Sequence, residues 1–241
     1  MGKIAVSLEN ESSKIPVRGL KYTTRFSAEK SYVMVGRLGG LGRTLSRWMV
    51  TRGARKFAFL GRSGTDKAAA RNLVADLEAS GADCVVIRGD VCNAEQVRSL
   101  ITAARRQGPI GGAVQAAMGL NEAIFSVMSN DYWHTGIDPK VHGTSNSYNA
   151  LQSSSFVGDD EGSVNGLDFF LMTSSVSGSV GTATEANYCS GNHFLDLFAR
   201  HLRTRGHPRR RRGTRHDFRG GLPTRESRDR GNPAAQGDLG D

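Results

Sequence analysis

The sequence has few cysteines, no long apolar run and no leader-like start, and each shortage excludes a class of protein. Three of the 241 residues are cysteines, and their spacing matches no metal-binding pattern. Neither a disulfide framework nor a cysteine-rich metal site is therefore expected. No stretch of about 18 apolar residues is present, and the first residues show no signal-peptide pattern. We predict a protein of the cytoplasm with reduced thiols, without a metal and without a membrane span.

The net charge of +9 is concentrated near the C-terminus. Eleven arginines and five acidic residues lie between Arg203 and Asp241, whereas the preceding residues are nearly balanced in charge. Arginines in a flexible tail could neutralise the phosphates of a nucleic acid. The tail contains a single aromatic residue, Phe218, and no recognised nucleic-acid module. Nucleic acid is therefore the less favoured partner.

Apolar runs of strand length alternate with segments of helical periodicity through most of the chain. The predicted strands are Ser31–Val35, Lys56–Leu60, Cys84–Ile87, Ile110–Gln115 and Leu167–Met172. The predicted helices are Leu41–Val50, Asp66–Ser80, Ala94–Gln107, a region from Glu122 to Leu151 interrupted near Asp138–Pro139, and a last helix beginning near Thr184. Residues 152–166 are expected to form a loop. Together with 38% hydrophobic residues, this alternation predicts an α/β fold, a Rossmann-like doubly wound parallel sheet.

Glycines follow the first predicted strand and open the first predicted helix. Gly36, Gly40 and Gly42 form the pattern GxxxGxG. Glycines allow the backbone to approach a pyrophosphate closely, and the amides and dipole of a helix N-terminus attract phosphate. A tight turn without a ligand could use the same residues. Their position between strand and helix favours a dinucleotide site.

The end of the second strand indicates which dinucleotide is bound. An acidic residue there would bind the ribose 2′-hydroxyl of NAD, whereas an arginine would pair with the 2′-phosphate of NADP. The chain has Arg62 beside Ser63. We therefore predict NADPH, with a solvated surface arginine as the alternative. The predicted cofactor-binding residues, which include those after strands three and four, are Gly36, Arg37, Gly39, Gly40, Leu41, Gly42, Arg62, Ser63, Asp90, Val91, Ala116 and Ala117.

The last predicted strand and helix bring a hydroxyl, a phenol and an amide together. Ser174 and Ser175 follow the strand, and Tyr188 and Asn192 share a helix face because they are four residues apart. A serine at a strand end, opposite a tyrosine from the next helix, can reach one carbonyl oxygen together with it. The alternative is a core strand and helix in which the tyrosine fills space.

Seven segments together resemble one family. GRLGGLG, LGRSG, GDV, QAAM, DPKVHGTSN, SSVSG and NYCSGNHFLD look like the ketoreductase domain of a fungal-type highly reducing polyketide synthase, within the short-chain dehydrogenase/reductase superfamily. The resemblance extends from about Gly2 to His207. Free-standing reductases usually have a lysine four residues after the tyrosine, whereas synthase domains have asparagine there and bring lysine from an earlier helix. Asn192 and Lys140 fit the synthase arrangement and argue against a free-standing reductase of small ketones.

The resemblance implies the catalytic residues Lys140, Ser175, Tyr188 and Asn192. Ser175 is preferred to Ser174 because it lies thirteen residues before the tyrosine, the family's usual spacing. The implied reaction is the NADPH-dependent reduction of a β-ketoacyl thioester to the β-hydroxyacyl thioester, with Tyr188 as proton donor. A free tyrosine has a pKa of about 10, so a nearby ammonium, from Lys140, is needed to favour its ionised form. The implied partners are an acyl carrier protein domain with a phosphopantetheine-linked ketoacyl chain, and other polyketide synthase domains.

Both ends of the chain depart from the family pattern. Residues 1–30 are predicted to be a linker or a remnant of an upstream structural subdomain, residues 31–207 the NADP-binding catalytic domain, and residues 208–241 a disordered arginine-rich tail. The family continues with a sixth strand rich in alanine and valine, whereas the residues from about Arg209 show no apolar periodicity. GC-rich codons for alternating alanine and valine read as arginine when shifted by one base, which suggests truncation or a frameshift. A sheet incomplete at its C-terminal end, and an inactive ketoreductase fragment as the alternative function, are therefore expected.

Overall fold

Five parallel strands form the central sheet. The computed structural model describes residues 24–36, 38, 40–152 and 167–204. In chain order the strands are β1 (Ser31–Gly36), β2 (Lys56–Gly61), β3 (Asp83–Arg88), β4 (Ile110–Ala116) and β5 (Phe169–Met172). The helices are α1 (Gly40–Thr51), α2 (Ala68–Ala79), α3 (Ala94–Gln107), α4 (Asn130–Gln152), α5 (Ser177–Val180) and α6 (Ala186–Thr204), with a 3-10 turn at Phe125–Val127.

The order of the strands across the sheet is β3-β2-β1-β4-β5. Every neighbouring pair is parallel. The chain moves outward from β1 to β3 and then crosses back to β4 on the other side of β1. In open sheets of this kind, ligands bind beyond the carboxyl ends of the strands where the strand order reverses. In this sheet the order reverses between β1 and β4, so a ligand is expected beyond their ends at Gly36 and Ala116.

Both faces of the central strand β1 are buried. Alternate residues of β1 point to opposite faces: Tyr32 and Met34 belong to a core shared with α1 and α2, and Val33 and Val35 to a core shared with α3 and α4. A central strand covered on both faces is apolar throughout rather than alternating, which is why SYVMV is a nearly continuous apolar run. The predicted Rossmann-like, doubly wound parallel sheet is confirmed.

The long helix α4 differs from the sequence prediction. The helical region was expected to start near Glu122 and to be interrupted near Asp138–Pro139, but the helix begins at Asn130 and continues through Pro139 to Gln152. Pro139 has no N–H to donate to the carbonyl of Thr135. External contacts support this part of the helix: the backbone at Gly119 packs against the Thr135 carbonyl, and a side-chain amide from β4 donates to the Pro139 carbonyl oxygen.

Several predictions fall on residues outside the described ranges. The predicted linker at residues 1–30 is described only from residue 24, and the predicted tail at residues 208–241 lies outside the description, as does nearly all of the predicted loop at 152–166. Within the described part of the chain, no helix has both the length and the apolarity needed to cross a bilayer.

Candidate active site

The ends of β1 and β4 approach each other too closely for any side chain between them. Gly36 has a φ of +116°, a conformation that residues with a Cβ rarely adopt. A Cβ built on Gly36 would lie 2.6 Å from the carbonyl carbon of Ala116 and 2.6 Å from the nitrogen of Ala117. The glycine therefore permits both the turn out of β1 and the contact with the end of β4.

The first turn of α1 borders a small cavity at this point. Gly36, Leu41, Gly42 and Ala116 are among the residues that line it. A Cβ on Gly40 would meet nothing within 4 Å, and Leu41 is 63% exposed. The N–H groups of a helix's first turn have no partner within the helix and attract anions. The exposed glycine backbone and the helix N-terminus suit a phosphate group. The predicted residues Arg37 and Gly39 lie outside the described residues.

The residues predicted to choose the dinucleotide follow β2. Arg62 is exposed, and Ser63 begins a turn in which its carbonyl accepts a hydrogen bond from the Asp66 N–H at 2.9 Å. Burial, with the charge of Asp90, raises the pKa of the Cys92 thiol to about 12, and the charge of Arg62 opposes this shift. Cys92 lies in the turn that follows β3.

That turn is held from both sides. The side-chain oxygen of Gln96, on α3, accepts from the Asp90 N–H at 2.6 Å. The side-chain amide of Asn146, on α4, donates to the carbonyl oxygens of Val91 and Cys92, both at 3.0 Å. Val91 itself is buried. The predicted adenine-contacting residues Asp90 and Val91 thus lie on a loop that is held by hydrogen bonds from α3 and α4.

Lys140 is a buried cation beside a phenol ring. It is 2% exposed, and its Nζ lies 5.3 Å from the ring centroid of Tyr188 and donates to the carbonyl oxygen of Thr173 at 3.1 Å. Its aliphatic stem runs along Gly191, where a Cβ would be 3.1 Å from Lys140 Cδ. Burial lowers the pKa of the Lys140 amine to about 8, and the negative charge of Asp196 opposes this shift.

Asn192 is hydrogen-bonded both to Tyr188 and to Ser174. The side-chain amide of Asn192 donates to the Tyr188 carbonyl oxygen at 2.9 Å, and the Ser174 hydroxyl donates to the Asn192 carbonyl oxygen at 3.3 Å. Asn192 Oδ1 is buried and has no hydrogen-bond partner among the described residues. The Ser175 hydroxyl donates to Ser177 Oγ at 3.3 Å and accepts from the Ser177 N–H at 3.2 Å. The structure thus brings Lys140 and Tyr188 together and bonds Asn192 to the Tyr188 backbone, while Ser175 is hydrogen-bonded to Ser177 at the start of α5.

Two buried polar side chains, those of Asn187 and Gln115, were not predicted from the sequence to have a role at the site. Asn187 is fully buried; its amide donates to the carbonyl oxygens of Asn121 at 3.1 Å and Tyr132 at 2.6 Å, and its Oδ1 accepts from the Tyr188 N–H at 2.7 Å. Gln115 is 2% exposed at the end of β4. A polar residue within an otherwise apolar strand, IGGAVQA, was a signal that could have identified Gln115.

Comparison with known proteins identifies the family of this chain. The sequence model of the KR domain family matches residues 30–210. The chain belongs to the KR family, the ketoreductase domains. It is 69% identical over 208 residues to the highly reducing polyketide synthase anuA of Penicillium roqueforti, covering 86% of this chain and 9% of that protein. It is 58% identical over 207 residues to the highly reducing polyketide synthase srdA of Neurospora crassa, covering 86% of this chain and 8% of that protein. The KR chain spans less than a tenth of the length of these curated relatives.

Solved ketoreductase structures have the same fold. The KR chain is similar to the ketoreductase from the first module of phoslactomycin biosynthesis in Streptomyces sp. HK803, with a TM-score of 0.66 and 26% identity over 76% of this chain and 40% of that one. A ketoreductase domain from the bacillaene assembly line gives a TM-score of 0.65 and 27% identity over 74% of this chain and 40% of that one. The predicted family, a polyketide synthase ketoreductase of the fungal type, is confirmed.

Proposed function

We propose that the chain catalyses the NADPH-dependent reduction of a β-ketoacyl thioester to a β-hydroxyacyl thioester. The observation that carries this proposal is the buried Lys140 amine 5.3 Å from the ring of Tyr188, in a fold that places both residues on helices beside the strand ends. A phenol next to a buried cation is a suitable proton donor for a carbonyl oxygen that gains negative charge.

The cofactor would lie across the strand ends at Gly36 and Ala116. The α1 N-terminus, with Gly40, Leu41 and Gly42, would hold the pyrophosphate, together with Arg37 and Gly39. Arg62 and Ser63 would hold the 2′-phosphate, Asp90 and Val91 would contact the adenine, and Ala116 and Ala117 would leave room for the cofactor to pass. When bound, NADPH supplies the hydride that reduces the ketone.

Tyr188 donates the proton in this mechanism. As the carbonyl oxygen gains charge, the phenol hydrogen transfers to it, and the phenolate left behind is stabilised by the ammonium of Lys140. With a pKa of about 8, the Lys140 amine is mostly charged at neutral pH. The hydrogen bond to the Thr173 carbonyl oxygen keeps the ammonium beside the tyrosine ring. Lys140 therefore acts through charge, at a position fixed by α4.

Ser175 and Asn192 have supporting roles. The hydroxyl of Ser175 would exchange its hydrogen bond with Ser177 for one to the substrate carbonyl oxygen, which orients the ketone towards Tyr188. A buried acceptor without a donor is costly, and Asn192 Oδ1 is such an acceptor among the described residues. We propose that a water molecule donates a hydrogen bond to Asn192 Oδ1, and that this water returns a proton towards Lys140 and Tyr188 after each reduction.

The substrate would arrive on another domain. The relatives are polyketide synthases more than ten times as long as the matched region. We propose that an acyl carrier protein domain presents the ketoacyl chain on its phosphopantetheine arm, and that other synthase domains supply and remove the chain. The cytoplasmic location and the disordered tail stay predictions.

A second candidate is an inactive fragment that retains the fold. Among the described strands β5 pairs only with β4, and Leu171 in β5 is 41% exposed. An unpaired strand edge with exposed apolar surface is a liability in a folded protein. Such a fragment would lack turnover, which distinguishes it from the first proposal.

The test measures reduction of a β-ketoacyl N-acetylcysteamine thioester with NADPH for the wild type and for Tyr188→Phe. We expect turnover by the wild type, and a loss of at least about 100-fold in the variant with NADPH binding retained, because general acid catalysis contributes about that much. Tyr32→Phe is the matched control, since its hydroxyl bonds Ser27 near the start of β1, at the opposite end of the strand from Gly36. Wild-type turnover by Tyr188→Phe would remove this tyrosine from the mechanism. An inactive wild type that still binds NADPH would favour the fragment.

A further inference from the structure

A glutamine side chain is buried at the carboxyl end of β4, where the sheet is otherwise apolar. Gln115 is 2% exposed. Burying an amide without hydrogen bonds is unfavourable by several kcal/mol in an apolar medium, so its partners decide what the residue does. The partners of the residue lie on α4, just after β5 and in the turn that follows β4.

The side chain of Gln115 joins β4 to α4. Its Nε2 donates to the Pro139 carbonyl oxygen at 2.7 Å, with a longer contact of 3.5 Å to Thr144 Oγ1, and its Oε1 accepts from the Ala117 N–H at 3.0 Å. Gly143 makes this approach possible, because a Cβ there would lie 2.9 Å from Gln115 Nε2. The amide therefore holds the residue before Lys140 and the turn that follows β4 at the same time.

The backbone carbonyl of Gln115 is linked through Thr173 to the ammonium group of Lys140. Its carbonyl oxygen accepts from the Thr173 N–H at 3.0 Å and from Thr173 Oγ1 at 3.4 Å. The carbonyl oxygen of Thr173 in turn accepts from Lys140 Nζ at 3.1 Å. One residue is thus linked to both the backbone and the ammonium of the lysine.

We propose that Gln115 is a positioning residue that sets Lys140 relative to Tyr188 and to the Ala116–Ala117 turn. This inference rests on the proposed function, in which that turn borders the cofactor. Pro139 supplies the reason for such a residue, because the proline removes one helix hydrogen bond immediately before Lys140. The Gln115 amide adds a hydrogen bond from the sheet to the Pro139 carbonyl, next to the missing helix bond.

Gln115→Met tests the proposal, with Ser147→Ala as the matched control. Methionine has a similar shape and forms neither side-chain hydrogen bond. Ser147 is 2% exposed on the same helix and donates to the Gly143 carbonyl oxygen at 2.7 Å, so its replacement also removes a buried hydrogen bond but leaves Pro139 and Ala117 untouched. Gln115→Asn, whose amide is too short to hold both partners, replaces Gln115→Met if that variant does not fold.

The decisive measurement is kcat per NADPH-binding site, which removes the effect of any unfolded fraction. Misplacing a catalytic group by about 1 Å can cost roughly 100-fold in rate. We expect kcat of the Gln115 variant to fall about 10- to 100-fold while kcat of Ser147→Ala stays near the wild-type value. Equal kcat for the Gln115 variant and the control would overturn the positioning role.

A second measurement does not depend on turnover. Amide hydrogen exchange in the full chain should become faster in Gln115→Met at residues 136–144 and at the Ala117 N–H, because both segments lose their side-chain hydrogen bonds to Gln115. Ser147→Ala should leave the Ala117 N–H unchanged. If the wild type reduces no thioester, the proposed function fails, and this measurement still decides the inference: unchanged exchange at both segments contradicts it.

Discussion

Replacing Lys140 with methionine should stabilise the fold and abolish its chemistry. Burial lowers the pKa of the Lys140 amine from 10.5 to about 8, so the folded chain disfavours the ammonium. Each pKa unit corresponds to about 1.4 kcal/mol, and the ammonium therefore costs about 3 kcal/mol at pH 7. Lys140→Met removes this cost but leaves the Thr173 carbonyl without its donor, a loss of about 1 kcal/mol. The net expectation is a gain of about 2 kcal/mol in the free energy of unfolding.

The gain should depend on pH in a defined direction. Between the folded pKa of about 8 and the ordinary value of 10.5, the unfolded chain binds more protons than the folded one, so wild-type stability rises with pH across this window. The advantage of Lys140→Met should therefore shrink by about 2 kcal/mol between about pH 7 and pH 9.5. The lost hydrogen bond does not titrate, so this change isolates the buried charge.

Urea unfolding of both proteins across this pH range measures the difference. Groups that titrate alike in both proteins cancel when one free energy is subtracted from the other. A variant less stable than the wild type at pH 7, or a difference that does not change with pH, would refute the claim that Lys140 is a desolvated cation. The same variant should show no reduction, because no ammonium then faces Tyr188.

Two further substitutions test the proposed NADPH-binding site. Gly36→Ala should lower the free energy of unfolding by about 2 to 4 kcal/mol, of which about 1 to 3 kcal/mol is backbone strain at a positive φ. The rest comes from a clash, because the new Cβ would lie 2.6 Å from the Ala116 backbone. Unchanged stability in urea unfolding would contradict that close approach. Arg62→Gln should raise the Kd for NADPH by about 10-fold, from loss of a charge-assisted bond of about 1.5 kcal/mol or more, while the Kd for NADH stays the same. Calorimetric titration with both nucleotides checks this, and an equal loss for both would assign Arg62 another role.

The alternation of strands and helices could be predicted because each of them has a local pattern of apolar residues and end signals in the sequence. β1 is a short apolar run that ends in glycine. α3 has an apolar stripe, and Asn93 caps it by accepting from the Glu95 and Gln96 N–H groups. Both were located within one or two residues. The pairing of Lys140 with Tyr188 followed from family resemblance rather than from spacing, because the two residues lie on different helices, 48 positions apart.

The prediction for α4 was wrong because it rested on local propensity alone. Proline disfavours a helix interior by about 3 kcal/mol, so an interruption at Pro139 was the local expectation. The compensating contacts come from Gln115 and Gly119, about 20 residues earlier in the chain, and no periodicity within α4 reveals them. Roles for Gln115 and Asn187 were not predicted for the same reason, since each donates to backbone carbonyl oxygens of distant segments.

Deuterium transfer tests the central claim most directly. The full chain would be incubated with NADPH deuterated at the transferable position of the nicotinamide and with a β-ketoacyl N-acetylcysteamine thioester, and the product analysed by mass spectrometry and NMR. We expect a β-hydroxyacyl thioester with one deuterium at the β-carbon in the wild type, and none of this product in Tyr188→Phe. Bound cofactor without labelled product in the wild type would contradict the proposal that this KR chain is a working reductase.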